Sequence, residues 1–419
     1  MSKDKSLKNA DSAVIGENSA SDIEVNSVYY RHKKRYNRKR PSRVRTFVLR
    51  TLLVFATVIV FLLVSAASIL YTAANGPSET MRDTLVVSAM QASATKWLPE
   101  LFLSSDLVDE IMAKSRDVQQ FTEPMTPYIP QLPDAPESAD TNPEQNEDAQ
   151  PVPVIDEWEN AVDGMIYKTA SYSNFRAYIL IVRDPSRIYV GTSSDYKSDK
   201  KGVRIFDIVE REGAVAAINA GEFSDIGGTG TGDNPIGLTY SKGECVWDDG
   251  ARRTFMGFDS NNILHAIEPA TKEDADALGI RDAVSFQNGN VLISNDGESV
   301  TYNYSEGNVG RAQRTAIAQR ADGVVILVVT DGRTASSLGA TRNEIIDLLR
   351  SEGAVTAGML DGGSSTMMYY DNYYEKYNID PSTLDEYQLQ GLTNKYKAFT
   401  RPRFLPTFFL VGPEKEGSS

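Results

Sequence analysis

The chain reads as a strand-rich mixed α/β domain of the α+β kind, carried outside a membrane on one N-terminal transmembrane helix, a helical stalk and a Pro/acid-rich linker. Three observations predict this: an uncharged apolar run at residues 51–74, an abrupt shift to proline and acid at 121–153, and short β-branched runs spaced along residues 154–413.

The apolar run holds 24 residues without a charge, and about 20 apolar residues suffice for a helix to cross the hydrocarbon layer of a bilayer. A buried core helix lacking any polar face would need a much larger protein around it. Residues 1–50 hold 13 Lys/Arg against 5 Asp/Glu, and Arg31, Lys33, Lys34, Arg35, Arg38, Lys39, Arg40, Arg43 and Arg45 crowd the side before the run. Cytoplasmic flanks carry the excess of Lys and Arg. The tail 1–45 is therefore expected in the cytoplasm, the span at 46–74 in the lipid bilayer of the cell membrane, and the rest outside, as a single-pass protein. The run is longer than the apolar core of a cleaved signal peptide, which favours an uncleaved signal-anchor.

In residues 75–120, Leu85, Val86, Ala89 and Met90, then Leu101, Leu107, Val108, Ile111 and Met112, recur near helical spacing. This predicts a helical stalk that packs on itself or on a membrane protein partner through residues 79–120. Residues 121–153 contain eight of the 18 prolines and seven acidic residues, with no Lys or Arg between Arg116 and Lys168. That composition predicts an extended, self-repelling linker.

Beyond residue 50 the chain has 30 Lys/Arg against 52 Asp/Glu. So acidic a bulk excludes nucleic acid as the main partner, because polyanion binding depends on cations displacing counterions from phosphates. One cysteine, Cys245, allows no internal disulfide, so the outer domain has to be stable through its core.

Within 154–413, strand-like runs fall at 177–182, 214–219, 236–240, 324–330, 366–370 and 407–411. Helical patterns fall at 203–212 and 341–352, the second opened by a Thr341-x-x-Glu344 capping box. Residues 414–419 are expected to be a disordered C-terminus. One unit is used twice: residues 207–215 lead to Ala217-Ile-Asn219, and residues 347–355 lead to Leu360-Asp361, each as helix, Gly turn and buried strand. The strands finish in Asn219-Ala-Gly221 and Asp361-Gly362-Gly363, and a third, 324–330, finishes in Asp331-Gly-Arg333. Ligands in α/β sheets gather outside strand ends, where glycine lets backbone N–H groups approach an oxyanion. Asn219, Asp331 and Asp361 are therefore candidates for one site, although Asp-Gly and Asn-x-Gly are also ordinary turn chemistry. Asp361 stands apart because Gly362, Gly363, Ser364, Ser365 and Thr366 crowd the same strand end.

The motifs 217–223, 234–243, Arg314-Thr-Ala-Ile-Ala318, 322–333, Leu338-Gly-Ala-Thr341 and Leu360-Asp-Gly-Gly-Ser-Ser-Thr366 together resemble, in order, the phosphodiester glycosidase family. The resemblance covers residues 203–411. It implies hydrolysis of the bond between a sugar's anomeric carbon and a phosphodiester oxygen. Two residues depart from the family's pattern: Glu222 stands where a small or aromatic residue is more usual, and Ala318 where glycine is common. Glu222 either adds a carboxylate to the site or blocks it.

Such a cleavage needs a carboxylate to activate water or stabilise an oxocarbenium-like centre, and cationic or N–H donors for the phosphate. Asp361 and Asp331 suit the first task, with Glu222 in reserve. Arg314, Arg333, Ser364, Gly221 and the backbone of Gly362 and Gly363 suit the second, and Asn219 suits a sugar hydroxyl or a water. Which carboxylate is acid, base or nucleophile stays open. No cofactor and no metal is expected. His265, in an apolar strand, and Cys245 both read as structural. The Gly-rich run 227–232 lacks the Gly-Lys-Ser/Thr of a P-loop and fits either a lid or a bare surface loop. Tyr302, Tyr304, Tyr369, Tyr370, Tyr373 and Tyr374 read as packing or as a sugar-stacking surface.

The expected function is a membrane-anchored hydrolase acting on sugar-1-phosphodiester linkages in an envelope or exopolysaccharide glycan. The alternative is a non-catalytic glycan-binding or assembly factor.

Overall fold

The computed structural model describes residues 43–90, 95–114, 118–125, 157–194, 196, 201–225, 231–232, 234–305, 310–333, 337–395 and 401–414. The basic tail before residue 43, most of the 121–153 linker, most of the Gly-rich run and residues 415–419 lie outside them. The chain divides into two units, residues 1–70 and 71–419.

Helix α1 (Arg43–Asn75) begins before the uncharged run. From Thr46 to Asn75 its 30 residues are long and apolar enough to cross a membrane, about 45 Å at 1.5 Å per residue. The hydroxyls of Thr51 and Thr57 donate back to the carbonyls of Phe47 and Leu53 at 3.1 and 2.8 Å. Each polar group is thereby satisfied within the helix, as a hydrocarbon environment demands. Helices α2 (Glu79–Met90) and α3 (Ser105–Lys114) form a hairpin closed by buried Val86, Val87, Val108 and Ile111.

In chain order the described strands are β1 (Val118–Pro124), β2 (Met165–Ser171), β3 (Arg176–Val182), β4 (Ile188–Thr192), β5 (Ala216–Asn219), β6 (Leu238–Ser241), β7 (Glu244–Asp248), β8 (Thr254–Asp259) and β9 (Leu264–Ile267). They continue as β10 (Ile280–Phe286), β11 (Val291–Asn295), β12 (Ser299–Ser305), β13 (Thr315–Arg320), β14 (Val325–Thr330), β15 (Ala354–Leu360), β16 (Met368–Tyr370) and β17 (Thr407–Val411). Helices α4 (Ile205–Glu212), α5 (Lys272–Ala277) and α6 (Arg342–Ser351), with the short α7 (Tyr373–Lys376) and α8 (Glu386–Leu389), complete the fold.

These strands make an eight-stranded sheet, β1-β12-β11-β15-β13-β14-β3-β2, a five-stranded sheet, β7-β6-β10-β8-β9, and a four-stranded sheet, β16-β5-β17-β4. The domain is a strand-rich α+β fold, as the sequence predicts. One boundary differs: residues 118–124 read as the stalk's end and the linker's start, but they pair antiparallel with β12 from Val118↔Ser305 to Pro124↔Ser299. An edge strand needs only one neighbour and tolerates proline, so its signal lies in the pairing rather than in local composition.

Strand β14 explains the layering. Val325, Leu327 and Val329 enter a core shared with Ile218, Tyr370 and Phe409 of the four-stranded sheet and with Met256 and Phe258 of the five-stranded sheet. Ile326 and Val328 face the other way, onto Ile345, Ile346 and Leu349 of α6. Helix α4 covers the outer face of the four-stranded sheet through Ile205, Ile208 and Val209 against Ala217, Phe408 and Leu410.

A strand buried on both faces is the pattern of parallel sheets, yet β14 runs antiparallel to both neighbours, because residues 321–324 close a tight hairpin from β13. Thr315 pairs with Leu360 and Val329, and Thr330 with Ala177. The ends of β14 and β15 and the starts of β13 and β3 therefore share one edge.

Candidate active site

The repeated helix-turn-strand units meet at that edge. Helix α4 stops at Gly213 with φ 62°, in the left-handed region that glycine enters without steric cost, and β5 follows. Helix α6 starts at the Thr341/Glu344 capping box read from the sequence, and Gly353 at φ 81° turns the chain into β15. At the far ends, Asn219 Nδ2 donates to the Asp361 carbonyl at 2.6 Å. Asn219 Oδ1 accepts from the Thr315 hydroxyl at 2.8 Å and the Met367 N–H at 3.1 Å. Fully buried, the Asn219 amide is spent on protein groups and clamps three strand ends together. Gly221, next along, is closely packed: a Cβ there would lie 2.9 Å from the Ser285 carbonyl.

Asp361 lies partly exposed at the floor of this junction. Burial, reinforced by the Glu222 charge, pushes its carboxyl from an ordinary 3.8 up to about 6, against a hydrogen bond from Ser365, the charge of Arg403 and the Gly362 N–H. Desolvation penalises the charged form, and these partners return part of that cost. Burial also raises Glu222, opposed first by Arg253, whose Nε lies 3.2 Å from Glu222 Oε2. Arg403 donates to the hydroxyls of Ser364 at 3.1 Å and Ser365 at 3.4 Å, pairs with Asp225, and lies over the Phe223 ring. Two upward-shifted carboxylates, each with an arginine beside it, thus flank one strand end, a pattern that concentrates at catalytic sites.

Asp331 shares the edge but stands two strands away from Asp361, about 10 Å at the usual strand spacing. Its Oδ2 accepts from the Tyr178 hydroxyl at 2.9 Å, and the Lys395 backbone N–H stands beside the same carboxylate. Burial raises its pKa, and Tyr178, Arg176 and Lys395 oppose the shift.

The expected phosphate donors are arranged differently from the sequence reading. Arg314 is buried, giving Nε to the Ala340 carbonyl at 3.1 Å and Nη2 to the Gly310 carbonyl at 2.6 Å. Burial, then nearby Arg333 and Arg342, lowers its pKa to about 10. It braces two loops beneath the edge. Arg333 is half-buried with φ 54° and lies close enough to act on Arg314. Gly363 donates its N–H to the Gln313 carbonyl at 3.0 Å, and the Gly362 N–H is turned to Asp361 itself. These glycines shape the strand end: a Cβ on Gly362 would lie 2.9 Å from the Gln313 carbonyl, and Gly363 adopts φ 62°.

Ser365 belongs to the crowded strand end noted in the sequence, but roles for Arg403, Thr315, Tyr178 and Arg253 were not legible there. The nearest signal was Arg401-Pro-Arg403 before the last strand, and Thr315 within the Arg314-Thr stretch. His265 accepts a structural role, its Nε2 lying 3.1 Å from Asp259 Oδ2. Cys245 is half-buried and its thiol is raised by burial. Tyr370 is fully buried and Tyr369 packs edge-on to Phe206, so both serve packing. Among the described residues no three His, Cys, Asp or Glu side chains stand together as metal ligands.

Residues 212–411 match the phosphodiester glycosidase family. A SPbeta prophage-derived uncharacterized protein, YomE, of Bacillus subtilis strain 168 is 28% identical over 217 residues, covering 51% of this chain and 31% of that protein. The chain thus spans about a third of the length of this curated relative. Among solved structures, the catalytic domain of zebrafish N-acetylglucosamine-1-phosphodiester alpha-N-acetylglucosaminidase, auto-inhibited by its pro-peptide, is 15% identical, with 59% of this chain and 82% of that one covered and a TM-score of 0.44. A hypothetical protein from Synechocystis is 14% identical over 59% of this chain and 62% of its own, with a TM-score of 0.40.

Proposed function

We propose, from a segment at 212–411 that matches the phosphodiester glycosidase family, that this chain is a membrane-anchored hydrolase of sugar-1-phosphodiester linkages in envelope or exopolysaccharide glycans. One observation carries the reading: Asp361, lifted to about 6, stands at a strand-end junction beside Glu222 and Arg403.

The ionised Asp361 takes a proton from water as the water oxygen bonds to the anomeric carbon. The bond from that carbon to the phosphodiester oxygen breaks, and its electron pair leaves on the phosphate. A phosphate monoester is a stabilised leaving group, so the main demand on the protein is a base and nearby positive charge. A pKa near 6 suits the base: strong enough to accept the proton, yet mostly ionised at neutral pH. Arg403 balances charge next to Asp361, and Asn219 and Thr315 hold the strand end in place. The basic flank before α1 supports a cytoplasmic N-terminus and an extracytoplasmic domain.

The test uses the full chain in detergent with methyl phosphodiesters of hexose 1-phosphates, following reducing sugar release. Wild type should release sugar and Asp361→Asn should not. Equal release by both removes Asp361 from the mechanism. Polymer binding with no release from any substrate instead favours a glycan-binding or assembly factor.

A further inference from the structure

A cavity of about 450 Å³ opens beside Asp331, away from the Asp361 junction. Its size falls in the range of small-molecule sites, about 300–1,000 Å³. Two elements build it. Strands β2 and β3 supply one wall, and the segment around α7 and α8, continuing to Lys395, supplies the other.

Its chemistry differs from that of the domain around it. Lys168, Arg176 and Lys395 line the cavity, and among the described residues no Asp or Glu does, although the chain beyond residue 50 carries 52 acidic residues against 30 basic. Glu352 pairs with Lys168 at 2.7 Å, and Asp331 stands close to Arg176 and Lys395. Tyr167, Tyr178, Tyr373 and Tyr377 supply aromatic surface, with Tyr167 edge-on to Tyr373 and Tyr377 at 5.4 and 5.5 Å. Mutually packed rings of this kind are rigid, and their hydroxyls give amphipathic faces suited to a sugar.

Unsatisfied groups point the same way. Tyr373 Oη and Thr393 Oγ1, each on a residue 1% exposed on the cavity lining, have the Gln388 side chain and the Tyr167 hydroxyl as polar neighbours but make no full-strength hydrogen bond to them. Buried polar atoms are rarely left so, and a sugar's hydroxyls would satisfy them.

The cavity is tied to the reacting edge. Thr393 donates its N–H to the Met368 carbonyl, Asn394 donates to Thr366, and the Thr315 hydroxyl reaches both Thr366 and Asn219.

We propose that the cavity binds a hexose unit bearing an anionic group, a uronate or a phosphate ester, within the glycan whose linkage is cleaved at Asp361. Its place in the reaction rests on the hydrolase reading; its binding of an anionic sugar does not.

Trigalacturonate and glucose 6-phosphate serve as anionic probes and maltotriose as the neutral control, titrated calorimetrically into the full chain in detergent. At least one anionic probe should bind more than ten-fold tighter than maltotriose. Asp361→Asn should leave that affinity unchanged while abolishing sugar release. The surface pair Arg176→Gln with Lys395→Gln should weaken it at least ten-fold. Tyr373→Phe, which keeps the ring and removes one hydroxyl, should weaken it several-fold and is the check if the charge variant melts early. Maltotriose binding as tightly, neither anionic probe binding, loss of binding in Asp361→Asn, or full affinity in both cavity variants would overturn the proposal. Anionic binding without sugar release would support the cavity and count against the hydrolase.

Discussion

Asp361→Asn should make the protein inactive and, at neutral pH, more stable. The side chain is raised from 3.8 to about 6, about 2 units, and one unit corresponds to about 1.4 kcal/mol. The folded state therefore holds the proton more tightly than the unfolded chain does. Stability is greatest where both states are protonated, falls as pH rises from about 4 through 6, and then levels off. The ionised group costs about 3 kcal/mol at pH 7.5, trimmed to about 2–3 kcal/mol by its solvent contact. Asparagine keeps the shape and carries no charge. For a domain of this size, about 2–4 °C per kcal/mol gives a gain of about 5–10 °C in Tm at pH 7.5, shrinking toward zero near pH 4. Thermal melts followed by the fluorescence of Trp97, Trp158 and Trp247, all beyond the apolar helix, read this directly. Equal melting of both proteins at pH 7.5, or an equal advantage at both pH values, would refute the electrostatic account of the junction. The accompanying loss in kcat should be about 100- to 10,000-fold, the usual range for a positioned acid or base.

Other perturbations separate positioning from chemistry. Arg403→Gln removes a charge that lowers the Asp361 pKa, so the acid limb of kcat/KM should move to higher pH; a pH–rate titration checks it. Glu222→Gln removes a charge that raises that pKa, and the same titration should show the limb moving lower. Asn219→Ala leaves the Asp361 carbonyl and the Met367 N–H without this partner and the Thr315 hydroxyl with only its 3.4 Å contact to Thr366; urea unfolding should show a loss of about 2–4 kcal/mol. Gly362→Ala places a Cβ 2.9 Å from the Gln313 carbonyl and should cost about 1–3 kcal/mol in the same assay.

The parts of this architecture legible in the sequence are those set by local pattern. The apolar helix, the α6 capping box with its Gly353 turn, and the existence of strand β14 follow from periodicity, capping and turn chemistry. The approach of Asn219 to Asp361 is foreshadowed by the 207–219 and 347–361 segments repeating one unit, whereas Asp331 ends a hairpin strand outside that repeat and stands two strands away from Asp361. Strand direction was not readable, because β14's apolar run fits a parallel sheet equally well, and the short β13–β14 connection decides it. Arg403 lies 42 residues from Asp361 in sequence and reaches it only after β17 takes its place in the four-stranded sheet. The duties of Arg314 and Gly363 were also hidden: sequence offers their guanidinium and N–H groups as donors, and the packed structure assigns them to the carbonyls of Ala340, Gly310 and Gln313.

The most direct test is the pH dependence of kcat/KM for the full chain on a hexose-1-phosphodiester. Activity should rise with pH along a limb centred near 6, as Asp361 ionises. A rate independent of pH between 4.5 and 7.5, or no sugar released at any pH, would contradict a catalytic Asp361.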